Sequence, residues 1–139
     1  VSAIGAKTLV EVLPKIEAGK LAPKKQEESL ATKAPSLTKE MAQFDFTQPA
    51  AHIHNWVRGM NPWPMAWFVT AGGKKVKVTE CRVAASNGEA PGTVLSTKPL
   101  TVACADGAVQ LLHVVPEGKK PMDGTSFAAG LRLKAGDTL

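Results

Sequence analysis

The chain has 139 residues, 44% of them hydrophobic, which is enough for one domain with a real core plus a few extra elements, and too little for two full domains. Lysine and arginine exceed aspartate and glutamate by 17 to 12, so a net charge of +5 gives a basic globular protein suited to an anionic partner, not a disordered polycation. No run approaches the roughly 20 apolar residues that a membrane helix needs, since the longest uncharged stretch, around 61–73, is broken by Pro62, Pro64 and two glycines.

The opening Val1 to Gly19 lacks the basic start, apolar block and small-residue cleavage pattern of a signal peptide, and the expectation is a cytoplasmic protein. Leu9, Val12, Leu13 and Ile16 recur at three- and four-residue intervals and predict a helix ended by Gly19. Pro14 should kink that helix or split it in two, because proline removes a backbone donor. A helix this short is marginal alone, so its apolar stripe calls for a packing partner, a first hint that the chain is part of something longer. From Lys20 to Lys39 the composition turns to Lys, Gln, Glu, Ser, Thr and Pro, which reads as a linker with a mild positive bias.

A second helix is expected at about Pro49 to Met60, with Thr47 or Gln48 as its cap and Ile53, Trp56, Val57 and Met60 as its apolar stripe. His52, Asn55 and Arg58 then point away from the packed side. The segment Asn61-Pro62-Trp63-Pro64 cannot continue a helix. Flanked by prolines, Trp63 is expected to be buried at the joint between this helix and the strands after it.

Beyond Met65 the signals are those of strands, at 66–71, 74–85, 92–97, 100–105 and 108–116, separated by the turn pairs Gly72-Gly73, Asn87-Gly88, Pro91-Gly92 and Asp106-Gly107. Val76 and Val78 alternate cleanly, but Cys81 and Val83 continue one residue out of phase, which predicts a bulge near Glu80. Long bent strands close small barrels. The fold class expected is mainly β: a small open barrel of the oligonucleotide-binding type, with a helix before it and a short helix at Ser126 to Leu131 after it.

Three histidines and two cysteines are the side chains to test for chemistry. His52 and His54 lie two apart on a helix, where side chains rotate by about 100° per residue, so they cannot chelate one ion. His113 is expected to be a half-buried packing residue. Cys81 and Cys104 sit in apolar runs and read as reduced, buried thiols. No nucleophile elbow, phosphate-binding glycine loop or metal-ligand spacing occurs, so no catalytic residue and no metal site is assigned.

Phe44, Phe46, Trp56, Trp63, Trp67 and Phe68 crowd one stretch, leaving only Phe127 outside it. Such a cluster either packs a helix against a barrel or stacks nucleic-acid bases. Packing is favoured, because Arg58 is the only Lys or Arg interleaved with it. The basic residues gather later, at Lys74, Lys75 and Lys77, at Lys119 and Lys120, and at Arg132 and Lys134, and these are the phosphate candidates.

Several landmarks are similar to one family along essentially the whole chain. Gly5-Ala6, Leu9, Leu13, Gly19 and Pro23 to Gln26 open it, followed by Ala31-Thr32, Leu37-Thr38-Lys39-Glu40, Phe44-Asp45-Phe46, Ala50-Ala51 and Ile53. The most specific is Val57-Arg58-Gly59-Met60-Asn61-Pro62-Trp63-Pro64, which resembles an Arg-x-x-Asn-Pro-Trp-Pro element. Pro91 to Leu95, Ala103 to Gly107 and Gly118 to Met122 keep the same order. Together they resemble the C-terminal portion of the methionyl-tRNA formyltransferase family, within the wider formyltransferase C-terminal-domain group. His52 to Gly59 also looks like the version in 10-formyltetrahydrofolate dehydrogenase, and sugar-nucleotide formyltransferases share this tail.

The resemblance implies a two-domain parent enzyme whose Rossmann-like N-terminal half holds 10-formyltetrahydrofolate, as co-substrate, and the catalytic Asn, His and Asp. None of those positions falls in this chain, which is therefore expected to be inactive alone and to bind no cofactor. It implies three parts: the terminal helix of the catalytic domain at 1–19, a linker at 20–40 and the C-terminal barrel at 41–139. Its partners would be initiator methionyl-tRNA and the N-terminal catalytic domain, with no membrane and no metal. The candidate tRNA contacts are Lys39, Arg58, Lys74, Lys75, Lys119, Lys120 and Arg132. The alternatives are the tail of a 10-formyltetrahydrofolate dehydrogenase or sugar-nucleotide formyltransferase with no tRNA role, and a freestanding structural barrel.

Overall fold

A computed structural model describes all residues 1–139 as two units, Val1–Pro35 and Ser36–Leu139. The first holds helix α1, Ser2–Glu17, and one turn of 3₁₀-helix at Glu28–Leu30. Pro14 lies inside α1 without dividing it, and Gly19 follows at φ 65°, as its lack of a Cβ permits. No residue of α1 is buried.

The second unit is mainly β, as expected. It contains α2 (Ala50–Met60), β1 (Trp67–Val69), β2 (Lys75–Ala84), β3 (Val94–Thr97), β4 (Leu100–Ala103), β5 (Ala108–Pro116), β6 (Met122–Asp123) and α3 (Gly124–Leu131). The strands form one antiparallel, barrel-like sheet in the order β1-β2-β5-β4-β3, left open at its ends, with β6 paired to the far part of β5. Both edges are covered. Residues 42–44 run beside β1 through Phe44 N–H to Trp67 O and Trp67 N–H to Ala42 O, both 2.9 Å. The last residues cover β3 through Val94 N–H to Asp137 O at 2.8 Å and Leu139 N–H to Gly92 O at 3.0 Å. This pairing satisfies backbone groups that would otherwise invite edge-to-edge association.

The core lies between the concave face of the sheet and α2. Ile53, Val57 and Met60 are buried as their spacing requires, against Phe68, Val76, Val78, Leu111 and Val114. Phe44, Phe46 and Phe68 form a tilted and edge-to-face trio with centroids 5.1 to 5.8 Å apart, so the phenylalanines of the aromatic stretch do pack. Cys81 and Cys104 are free and buried, and burial pushes their thiols up to about 12 and about 11.

The predicted break in alternation near Glu80 is a pair of compensating bulges. Val78 pairs with Val114, Glu80 with His113 and Cys81 with Leu111, so Thr79 is the extra residue on β2 and Leu112 the extra residue on β5. One expectation fails here. His113 falls on the slip and is exposed, its Nδ1 3.0 Å from Glu80 Oε2, and is not a packing residue. Val83 is likewise exposed beyond the bulge.

The cap of α2 also differs from expectation. Pro49 occupies the N-cap position with no side-chain cap, and Ala50 N–H donates instead to Asp106 O at 2.9 Å. Thr47 serves the preceding turn, giving its backbone N–H to Asp45 Oδ1 at 2.9 Å and its hydroxyl to the same oxygen. At α3, by contrast, Asp123 is a side-chain cap, accepting from Ser126 N–H at 2.8 Å and from the Ser126 hydroxyl at 2.7 Å. The Ser126 hydroxyl and then its N–H hold the Asp123 carboxyl below its usual range. Gly124 lets α3 begin hard against β5, since a Cβ there would fall 1.8 Å from Leu111 O.

Candidate functional site

The outer face of the β1-β2-β5 ribbon is built by strand alternation. Val76 and Val78 face the core, which turns Lys75 and Lys77 outward, and the register sets Trp67, Lys77 and Val115 side by side across three strands. The β5-β6 connection brings Lys119 over the end of this row, and the turn at 38–41 brings Lys39. The result is an open groove of about 390 Å³ with four lysines, Lys39, Lys75, Lys77 and Lys119, and two tryptophans, Trp63 and Trp67, among its lining residues.

The two tryptophans differ. Trp67 is half-buried and fixed, donating Nε1–H to Lys39 O at 2.9 Å while Lys75 Nζ sits 3.6 Å from its ring centroid. That cation–π contact is worth about 0.5–1 kcal/mol at a partly exposed site and holds the ammonium in place. Trp63 is 57% exposed and corrects the expectation that it is buried at the joint. Pro64 is buried there instead, and the turn that carries Trp63 is closed by Met65 N–H to Met60 O at 2.9 Å and Asn61 Nδ2–H to Thr79 O at 3.4 Å.

The groove is electrostatically unbalanced. The one ion pair of a lysine or arginine is Lys7–Glu11, so none of the four groove lysines has a carboxylate partner, and Glu117 is the one acidic lining residue. Like charges gathered around a half-enclosed surface raise the local potential and draw anions to it. The four ammonium groups are donors without acceptors, a set that suits phosphate.

Of the residues singled out from sequence, Lys39, Lys75 and Lys119 meet in this groove. Lys74 lies round the corner with Lys119, on the rim of a neighbouring apolar hollow of about 400 Å³ floored by Met122, Phe127 and Leu131. Arg58, on the last turn of α2, Lys120, and Arg132, the left-handed C-cap residue of α3 at φ 56°, are exposed and line neither. Lys77, which the sequence places among the phosphate candidates though not among the seven tRNA contacts, also lines the groove and shares the outward phase of Lys75. The arrangement also revises the reading of the aromatic stretch, since lysines distant in sequence are interleaved with Trp63 and Trp67 in space. No cluster of His, Cys, Asp or Glu is arranged to hold a metal ion, and no helix is long and apolar enough to cross a membrane.

Residues 36–132 match the formyl transferase C-terminal domain, and the chain belongs to that family. It is 45% identical over 137 residues to the methionyl-tRNA formyltransferase of Solibacter usitatus, covering 98% of this chain and 44% of that protein. It is 44% identical over 138 residues to that of Jannaschia sp. and 37% identical over 142 to that of Bacillus subtilis, each covering 99% of this chain and 44% of the relative. The chain thus spans 44% of the length of these relatives. Among solved structures it is similar in fold to a variant of HypX from Aquifex aeolicus, with a TM-score of 0.61 and 21% identity over 90% of this chain and 23% of that one. HypX in complex with tetrahydrofolic acid gives a TM-score of 0.59 at 21% identity, over 88% of this chain and 22% of that one. The resemblance read from the Asn-Pro-Trp-Pro element and its neighbours therefore holds at the level of the family.

Proposed function

We propose that this chain is the C-terminal region of a cytoplasmic methionyl-tRNA formyltransferase. It holds initiator methionyl-tRNA while an N-terminal catalytic domain transfers the formyl group from 10-formyltetrahydrofolate to the methionyl amine. The observation that carries this is the convergence of Lys39, Lys75, Lys77 and Lys119, from three separate segments, on one groove without a single ion pair. Phosphate contacts of this kind position a nucleic acid and fix its register without reading its sequence. The relatives' common name supplies the substrate; under this reading residues 1–19 are the last helix of the catalytic domain and residues 20–40 the linker.

The candidate contacts fall into two groups under this reading. Lys39, Lys75, Lys119 and the added Lys77 form the principal phosphate site, with Lys74 beside it. Arg58, Lys120 and Arg132 are peripheral contacts, reached only by a ligand extending past the groove. The chain by itself carries no catalytic residue and binds no folate.

The test is a titration of the chain with initiator methionyl-tRNA across a range of salt. Four phosphate contacts predict a slope of log K against log salt of about −3 to −4, and replacing Lys75 or Lys77 with Ala should weaken binding and reduce the slope by about 1. No binding at low salt would overturn the reading in favour of a formyltransferase tail without a tRNA role.

A further inference from the structure

Trp63 is the aromatic residue that the fold does not use. Phe44, Phe46 and Phe68 fill the core, Trp56 stacks on His52 with centroids 5.4 Å apart, and Trp67 is engaged by Lys39 and Lys75. Trp63 has no aromatic partner and no hydrogen-bonded side-chain contact, and more than half of it faces solvent. Exposing so large an apolar ring to water is unfavourable. Yet the ring is displayed on a turn closed at both ends by hydrogen bonds and anchored by buried Pro64, so little conformational freedom remains to be lost when something covers it.

The surroundings identify the occupant. The other groove-lining tryptophan has a lysine ammonium on its ring, which leaves Trp63 as the free π-face, bordered by Lys75, Lys77 and Lys119. A flat ring beside unpaired ammonium groups matches a nucleotide, whose base is a π-surface and whose phosphates flank it. A base inside a duplex presents only its edges, because its faces are covered by its neighbours. An apolar peptide would cover Trp63 but leave the lysines facing nothing.

We propose that this groove captures an unpaired nucleotide of the bound RNA, its base stacked on Trp63 and its flanking phosphates on Lys75, Lys77 and Lys119, so that the site selects single-stranded or bulged RNA over continuous duplex. This rests on the tRNA-binding reading above and adds to it the form of RNA that the groove accepts. Trp63 is a binding residue here, with no part in the stability of the fold.

The experiment compares the full chain with its W63A and W63F variants. The probes are a short oligoadenylate strand, a fully paired RNA duplex of equal length, and initiator methionyl-tRNA, read by tryptophan fluorescence and by affinity at several salt concentrations. The expected result is quenching by the single strand and not by the duplex, strongly reduced in both variants, in which Trp56 and Trp67 are the indoles that remain. W63A should weaken single-strand binding at least about fivefold, W63F should restore most of that affinity, and the salt slope and melting temperature should stay unchanged. If W63A binds the single strand as tightly as the parent chain, or the duplex competes equally well, the stacking proposal is overturned while salt-sensitive tRNA binding still stands. If neither the strand nor tRNA binds at low salt, the phosphate reading falls and the stacking site with it.

Discussion

Helices α1 and α2 present the same pattern in sequence and meet opposite fates. Each carries an apolar residue every three or four positions, Leu9, Val12, Leu13 and Ile16 in one and Ile53, Trp56, Val57 and Met60 in the other. Ile53 is 0% exposed, whereas Leu9 is 56% exposed. Periodicity defines a face; burial needs a second surface shaped to receive it, and the sheet provides one for α2 through Phe68, Val76 and Val78. A helix that leaves its stripe in water owes its order to local hydrogen bonds alone, which is marginal for 16 residues.

The contrast can be broken by substitution, and the largest effect belongs to the seated helix. Ile53→Ala should cost about 2–5 kcal/mol in chemical denaturation, through lost transfer energy and the cavity left behind. The buried thiols come next. Their pKa values in the folded state lie above the ordinary 9.0, so their contribution is complete below about pH 9 and is lost as pH rises toward 11–12. Stability should therefore fall on the order of 2 kcal/mol per thiol by about pH 11, and a Cys81→Ala variant should show a shallower decline.

Asp123→Ala should produce a smaller loss, because it removes the cap of α3 while leaving Phe127 in the core. The depressed carboxyl pKa of Asp123 gives the sign. The cap is fully present above the ordinary carboxylate range and fades as pH falls through the depressed value, so an acid titration of the melting temperature should lose part of its slope in the variant. At the bottom of the scale, Leu9→Ala and Trp63→Ala should each change stability by less than about 0.5 kcal/mol, since neither residue is buried. A melting temperature lowered by several degrees in the Leu9 variant would show that α1 is supported by more than its own backbone.

How much of the molecule is readable in its sequence depends on the range of the forces involved. Local signals hold: the α2 stripe, the strand segments, the glycine turns and the phase slip at Glu80 are decided by neighbours within a few positions. Features set by distant contacts escape. Strand β6 and the tail that covers β3 are too short to show a period, and they exist because β5 and β3 offer unpaired edges. The groove is hidden for the same reason, since Lys39, Trp63, Trp67, Lys75, Lys77 and Lys119 come together only through the register of β1, β2 and β5. Trp63 defies a reading from sequence because its flanking prolines mark a rigid turn without saying which way the ring between them points.

The paired bulges of β2 and β5 bear on how this ribbon tolerates change in length. Thr79 is surplus on one strand and Leu112 on the other, so the two insertions cancel: Val76 to Val78 face Val114 to Pro116 on one side, and Cys81 to Ala84 face Ala108 to Leu111 on the other, with a common offset. Removing both residues together should give a straighter ladder that keeps every pairing at the two ends, including the one that sets Lys77 beside Val115. Removing either alone leaves its counterpart without a balancing partner and bends the ribbon to one side. Curvature and register, inseparable in most sheets, are here adjustable one at a time, and a matched double deletion measured against each single one would tell which of them the lysine face depends on.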